Sequence, residues 1–325
     1  METRVIRRTS DAQSRRALWR RLPAACVVAA ALVVGAPVVA LAQSSHLLIV
    51  VGLSGDPEHG ELFDKWATTL ATTAADRLGV PKDQIQTLSG DQATKVGVAK
   101  ALTALESAGP DDTVMIVLFG HGTFDGSVAK FNLPGPDMTP KDFAPLLAKL
   151  HSKRIVFVNT ASASGPFVEA LRGPGRVIVA ATRNGAEKYA TLFGGPFVDA
   201  FSNEAADTNR DGKVTILEAY EFAKKQVEAS FQREGIMQTE NATIDDTSRA
   251  ALVTLGTSAR ASTLPADPKL RALYVERQQL EQRIESLKLL KSGMDPDKYA
   301  AELEKLATEL AEKSRQIREA EGKGK

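Results

Sequence analysis

Two residues with the chemistry of a base and a nucleophile stand at the ends of two apolar runs. VMIVLFGHG, residues 114–122, stops at His121-Gly122, and RIVFVNTASASG, residues 154–165, stops in a hydroxyl-bearing turn that holds Ser162 and Ser164. Such runs, breaking abruptly into small and polar residues, read as strands of a parallel sheet, whose carboxyl ends collect ligands and reacting groups. His121 and Ser162 on one rim could form a base and its nucleophile. Gly122 lets backbone approach a substrate, and its N–H with that of Ser162 could form an oxyanion hole.

The elements needed to position these residues come in alternation. The run LLIVVGL from Leu47 precedes a helical stretch around Phe63 to Leu78. A short strand, Ile85 to Leu88, precedes a helix over Lys95 to Ser107. Then come VMIVLFG, a helix over Lys141 to Leu150, RIVFVN, a helix over Pro166 to Leu171, and VIVAA. This alternation predicts an α/β domain, a mostly parallel sheet with helices on both faces.

Composition narrows the chemistry. With 41 basic against 40 acidic residues and only 6% aromatics, no basic, aromatic-interleaved surface for nucleic acid is visible. His46, His59, His121 and His151 have no zinc-ligand spacing. Gly120, Gly122 and Gly126 do not fit a dinucleotide-binding fingerprint. Arg4 to Arg21 form a basic region, Ala24 to Leu41 an apolar one, and Ala40-Leu41-Ala42 a cleavage site. Residues 1–42 therefore read as a signal peptide cut before Gln43, with an uncleaved anchor as the alternative. Ser14-Arg15-Arg16 also resembles a twin-arginine signal, so both export routes fit. The expectation is a periplasmic or secreted protein with no stable membrane span after cleavage. The single cysteine, Cys26, falls in the removed segment, which excludes a catalytic thiol and a disulfide scaffold from the mature chain.

DTNRDGKVTILE, residues 207–218, follows the EF-hand calcium-loop pattern. Asp207, Asn209 and Asp211 supply oxygens, Gly212 makes the turn, and Lys213 offers its backbone carbonyl. Thr215 acts directly or through water, and Glu218 ligates through both oxygens. With one loop visible, the expectation is a structural Ca2+, not a sensor. Asp267-Pro268 and Asp295-Pro296 then open two helices. Their seams, Leu273, Leu280, Ile284 and Leu287 against Tyr299, Leu303, Leu306, Leu310 and Ile317, are interrupted by Arg277 and Lys313. They predict a helical hairpin over 265–325, distinct from the 43–264 domain and a candidate for self-association, with two surface helices folded onto that domain as the alternative.

His121-Gly122 and Ala161-Ser162-Ala163-Ser164-Gly165 together give the chain its resemblance to the legumain-like cysteine peptidases of the caspase fold. The similarity runs over roughly Leu47 to Phe222, and bacterial secreted members also resemble DTNRDGKVTILEA. The resemblance implies that His121 takes the catalytic histidine's place, Gly122 that of its oxyanion partner, and Ser162 that of the nucleophile cysteine. It places Arg183, in Ala181-Thr182-Arg183, on a wall of the cleft. A serine hydroxyl is far less acidic than a thiol and needs a tightly held, oriented base. Asp125 is near His121 in sequence, and Thr160 stands where a G-x-S-x-G elbow would have glycine. Three functions arise as expectations: a non-catalytic protein that binds a peptide or partner, a serine-dependent hydrolase using Ser162 and His121, and a calcium-stabilised scaffold.

Overall fold

A computed structural model describes residues 44–209, 211–256, 267–289, 291 and 294–322. The expected signal segment and the 257–266 stretch lie outside the described residues. Six strands form the main sheet: β1 (Ser45–Val51), β2 (Ile85–Leu88), β3 (Thr113–Phe119), β6 (Arg154–Asn159), β7 (Arg176–Ala180) and β8 (Thr243–Ile244), in the order β2-β1-β3-β6-β7-β8. The first five are mutually parallel, and β8 runs antiparallel to β7. β4 (Gly122–Phe124) and β5 (Ala129–Phe131) form a separate hairpin at the carboxyl end of β3.

Strand residues alternate between two apolar cores, so both faces of the sheet are covered. Leu47, Ile49, Val117, Val158 and Val179 meet α1 (Pro57–Asp76), α5 (Gly194–Ala200) and α6 (Ile216–Glu234). Leu48, Val50, Ile116, Phe157 and Ile178 meet α2 (Lys95–Ala104), α3 (Pro140–Ala148) and α4 (Pro166–Leu171). A single turn, α7 (Thr247–Ala250), comes after β8. This is the α/β sandwich expected from the alternating runs.

Helix α1 starts earlier than the apolar pattern alone suggests, at Pro57 instead of Phe63. Asp56 caps it by accepting the His59 N–H at 2.9 Å, and Pro57 takes the first helical position. That early start carries His59 to the carboxyl edge of the sheet. The pairing of β3 with β6 matters most for the site. Leu118 lies opposite Asn159, so His121 and Ser162 leave neighbouring strands at one level.

Helices α8 (Pro268–Leu289) and α9 (Pro296–Gly322) form the hairpin, with Leu280, Leu287 and Leu306 buried and Ile284, Tyr299, Leu303 and Leu310 packed around them. Lys313, an interruption of the seam in sequence, pairs with Glu276 of the facing helix at 2.5 Å. The chain leaves the α/β unit at the amino edge of the sheet, where the Gly256 N–H donates to Ser45 Oγ at 3.0 Å. Among the described residues, no helix is long and apolar enough to cross a membrane.

Candidate functional site

The turn after β6 is a buried set of hydroxyls. Ser162 is 3% exposed and Ser164 1%. Ala163, between them, has φ +54°, a left-handed conformation that costs an alanine about 1–2 kcal/mol. Its N–H donates to the Glu187 carbonyl at 2.8 Å. Ser164 Oγ lies 3.2 Å from Thr182 Oγ1, and Thr182 Oγ1 accepts the Gly165 N–H at 2.9 Å. The strained position is thus held by the segment after β7.

Ser162 and Gly122 do come together, but they engage each other. Ser162 Oγ donates to the Gly122 carbonyl at 3.0 Å and accepts the Gly122 N–H at 3.2 Å. An amide carbonyl is no base, so the hydroxyl proton has no activating acceptor. The same contact occupies the N–H expected to stabilise an oxyanion. A side chain at position 122 would collide with the Ser162 carbonyl, so this close approach requires glycine.

His121 turns toward the β1–α1 corner. Its ring lies edge-on to His59, centroids 4.9 Å apart, and to Phe63 at 5.4 Å. Among the described residues no hydrogen bond joins its imidazole to Ser162. Burial, foremost, and neighbouring His59 lower its pKa from the ordinary 6.5, against the raising effects of the Ser54 backbone and Asp56. Asp56 instead holds His59, with Oδ2 2.8 Å from Nδ1. Asp125 is occupied elsewhere: it accepts the Ser127 and Val128 N–H groups and faces Lys130 at 3.7 Å. The serine, its expected base and the nearby aspartate are therefore not a triad.

Two further carboxylates, Glu187 and Glu240, were not expected. Glu187 accepts N–H groups from Arg183 at 3.1 Å and Asn241 at 2.9 Å, and the Asn241 amide at 2.9 Å. Glu240, 2% exposed, accepts the Leu192 and Phe193 N–H groups at 2.7 and 2.9 Å. Arg183 itself is exposed, its guanidinium 3.9 Å from Glu187. Thr191 Oγ1 also donates to the Thr160 carbonyl. The Thr191 hydroxyl and the Glu187 carbonyl tie residues 183–193 to the turn after β6, while the Glu187 and Glu240 carboxylates tie them to residues 240–241. No local pattern links positions 187 and 240; only the fold does.

Burial pushes the Glu240 pKa up to about 7; its two N–H donors oppose that and the charge of Glu187 adds to it. A carboxyl whose folded pKa exceeds its unfolded value stabilises the fold below the unfolded pKa, and that stability is lost as pH rises through the folded one. His121, with a lowered pKa, acts in the opposite direction, so comparison with Glu240→Gln isolates the effect. The urea midpoint of the wild type, relative to that variant, is expected to fall between pH 5 and pH 8, by the equivalent of about 2–3 kcal/mol. A difference that stays flat would show that Glu240 is ionised throughout.

The 207–218 loop has its expected turn, with Gly212 at φ +83°. Asp207 accepts the Asp211 and Gly212 N–H groups at 3.1 and 2.8 Å, Asn209 accepts that of Asp211 at 2.8 Å, and Asp211 that of Lys213 at 2.8 Å. Thr215 caps α6, accepting the Glu218 N–H at 3.2 Å. Glu218 closes the loop, receiving the N–H and hydroxyl of both Thr208 and Thr215. Burial raises its pKa, but these donors outweigh it and the net pKa lies below the ordinary value. Among the described residues no three His, Cys, Asp or Glu side chains converge to hold a metal. The donor set is nevertheless all oxygen, the chemistry of a hard cation such as calcium.

A family model described as the Peptidase C13 family matches residues 61–248, more than half of the chain. It takes in His121, Ser162, Arg183 and the 207–218 loop and ends before the hairpin. No curated protein matches the chain.

Proposed function

The chain belongs to the Peptidase C13 family, with the caspase-like α/β fold, and from that premise we propose a peptidase homologue that binds a peptide without cleaving it. In this reading Ser162 occupies the nucleophile's place. The supporting observation is the mutual hydrogen bonding of Ser162 Oγ with the Gly122 backbone, which withholds both the proton and the oxyanion donor. A serine nucleophile needs an imidazole within about 2.6–3.2 Å of its hydroxyl, and His121 packs edge-on against His59 instead. In this reading the sheet rim around the Ser162 turn serves recognition.

Incubation of the purified protein with a fluorophosphonate probe at pH 7–8, with calcium present, is expected to leave Ser162 unlabelled. Labelling that disappears in both Ser162→Ala and His121→Ala would establish a serine hydrolase and overturn the proposal.

The same proposal includes a structural calcium at the loop after α5. Asp207, Asn209, Asp211, the Lys213 carbonyl, Thr215 and Glu218 would hold it, and the ion would supply positive charge that fastens α6 to the loop. Glu218 must exchange hydrogen bonds with Thr208 and Thr215 for ligation, which favours weak binding. Its test is developed in the Discussion.

A further inference from the structure

The fold pairs two histidines from distant parts of the chain. His59 stands in the first turn of α1 and His121 follows β3, yet their ring centroids lie 4.9 Å apart at an interplanar angle of 63°. Each ring has one nitrogen held by an acceptor. His59 Nδ1 lies 2.8 Å from Asp56 Oδ2, and the Ser54 backbone hydrogen-bonds the His121 imidazole. A carboxylate or backbone carbonyl on one nitrogen is the outer shell of a metal-bound histidine; it fixes the tautomer and makes the other nitrogen the electron-pair donor. Among the described residues, neither ring makes a further hydrogen bond.

The separation fits one shared ion. Two imidazoles on a metal, with bonds of about 2.0–2.1 Å and roughly 90–110° between them, hold their centroids about 4.5–5.2 Å apart. Burial, foremost, and the proximity of His59 lower the His121 pKa from 6.5, so at neutral pH the ring is the uncharged ligand that a metal requires. The His59 side chain is 31% exposed, which lets an ion enter from solvent. No third His, Cys, Asp or Glu among the described residues joins the pair, so water would complete the shell. Two imidazole nitrogens without a thiolate suit Zn2+, Ni2+ or Cu2+, whereas calcium and magnesium need oxygen.

We propose that His59 and His121, with Asp56 and the Ser54 backbone behind them, form a site for a divalent transition metal that ties the first turn of α1 to the end of β3. Isothermal titration calorimetry of the purified, metal-stripped protein with zinc tests it, in excess calcium so that the oxygen-rich 207–218 loop does not compete. A single zinc site is expected, with Cu2+ binding more tightly and zinc uptake fading as pH falls through the imidazole range. Asp56→Asn keeps a capping side chain on α1 and should weaken binding about tenfold or more. His59→Asn and His121→Asn should each weaken it further and abolish the rise in melting temperature that zinc gives the wild type. His151→Asn should change nothing, and melts in chelator confirm that every variant is folded. Absence of zinc binding, or uptake that survives either His59→Asn or His121→Asn undiminished, would overturn the site.

Discussion

Alanine in place of Gly165 is expected to lower the melting temperature by roughly 6–12 °C, the equivalent of about 3 kcal/mol in a domain of this size. The backbone torsion at this position, φ −49°, suits any residue. The cost is purely steric: the added Cβ would overlap the carbonyl of Arg183 and the N of Asn184. No flexible side chain can yield there, so the turn and the segment after β7 must move apart. That movement also endangers the Gly165 N–H bond to Thr182 Oγ1. Gly126 makes the control, because at φ +97° it has nothing within 4 Å of an added Cβ. Gly126→Ala should therefore cost only backbone strain, about 1 kcal/mol or roughly 2–4 °C. Circular dichroism melts decide it; a Gly165→Ala variant within 2 °C of wild type would mean that the two segments are not in contact.

The calcium proposal has an equally large expected effect. At 10 mM calcium and a dissociation constant of ~10⁻⁴–10⁻³ M, linkage gives about 1.4–2.7 kcal/mol of stabilisation. That amounts to a rise of roughly 3–11 °C over the chelated protein. Glu218→Ala should abolish the rise, but it has a second effect that must be separated. The side chain receives donors from Thr208 and Thr215 without any ion, and its loss should cost the chelated protein about 2 kcal/mol. Because its folded pKa is lowered, Glu218 contributes stability above the unfolded carboxyl range and loses it as pH falls through the folded pKa. Melts of both proteins in calcium and in chelator give the four values required. A wild-type shift below 1 °C would end the assignment of calcium, and a calcium shift surviving in Glu218→Ala would place the ion elsewhere.

The sequence made the layers of this fold legible because strands covered on both faces must be apolar throughout. VMIVLF and RIVFVN could be little else. Their adjacency was not legible: nothing local makes β6 pair with β3, yet this pairing brings Ser162 to Gly122. The β4–β5 hairpin carried a turn signal in Asp125-Gly126, overshadowed by the shortness of its three-residue strands. His59 was visible only as a histidine without ligand spacing. The Asp56-Pro57 cap that starts α1 early is what sets it against His121. Glu187 and Glu240 reach one neighbourhood through the return of the chain as β8, which no periodicity announces. In the hairpin, by contrast, the spacing marked the seam of Leu280, Leu287 and Leu306, but not the ion pairs of Arg277, Arg283 and Lys313 that flank it.

Gly256, the last described residue before the hairpin, lies beside Ser45, at the end of the strands opposite the Ser162 turn. Seven residues of β1 measure about 23 Å. Lys213 of the 207–218 loop lies 4.0 Å from Glu281 of the hairpin, which keeps that appendage on the same remote side. A partner proposed for the hairpin would then have no need to touch a peptide proposed for the Ser162 turn, and the two could be held at once. Were several copies gathered by their hairpins, each would bring its own Ser162 turn to the assembly. Weak single contacts could then add to firm capture through avidity.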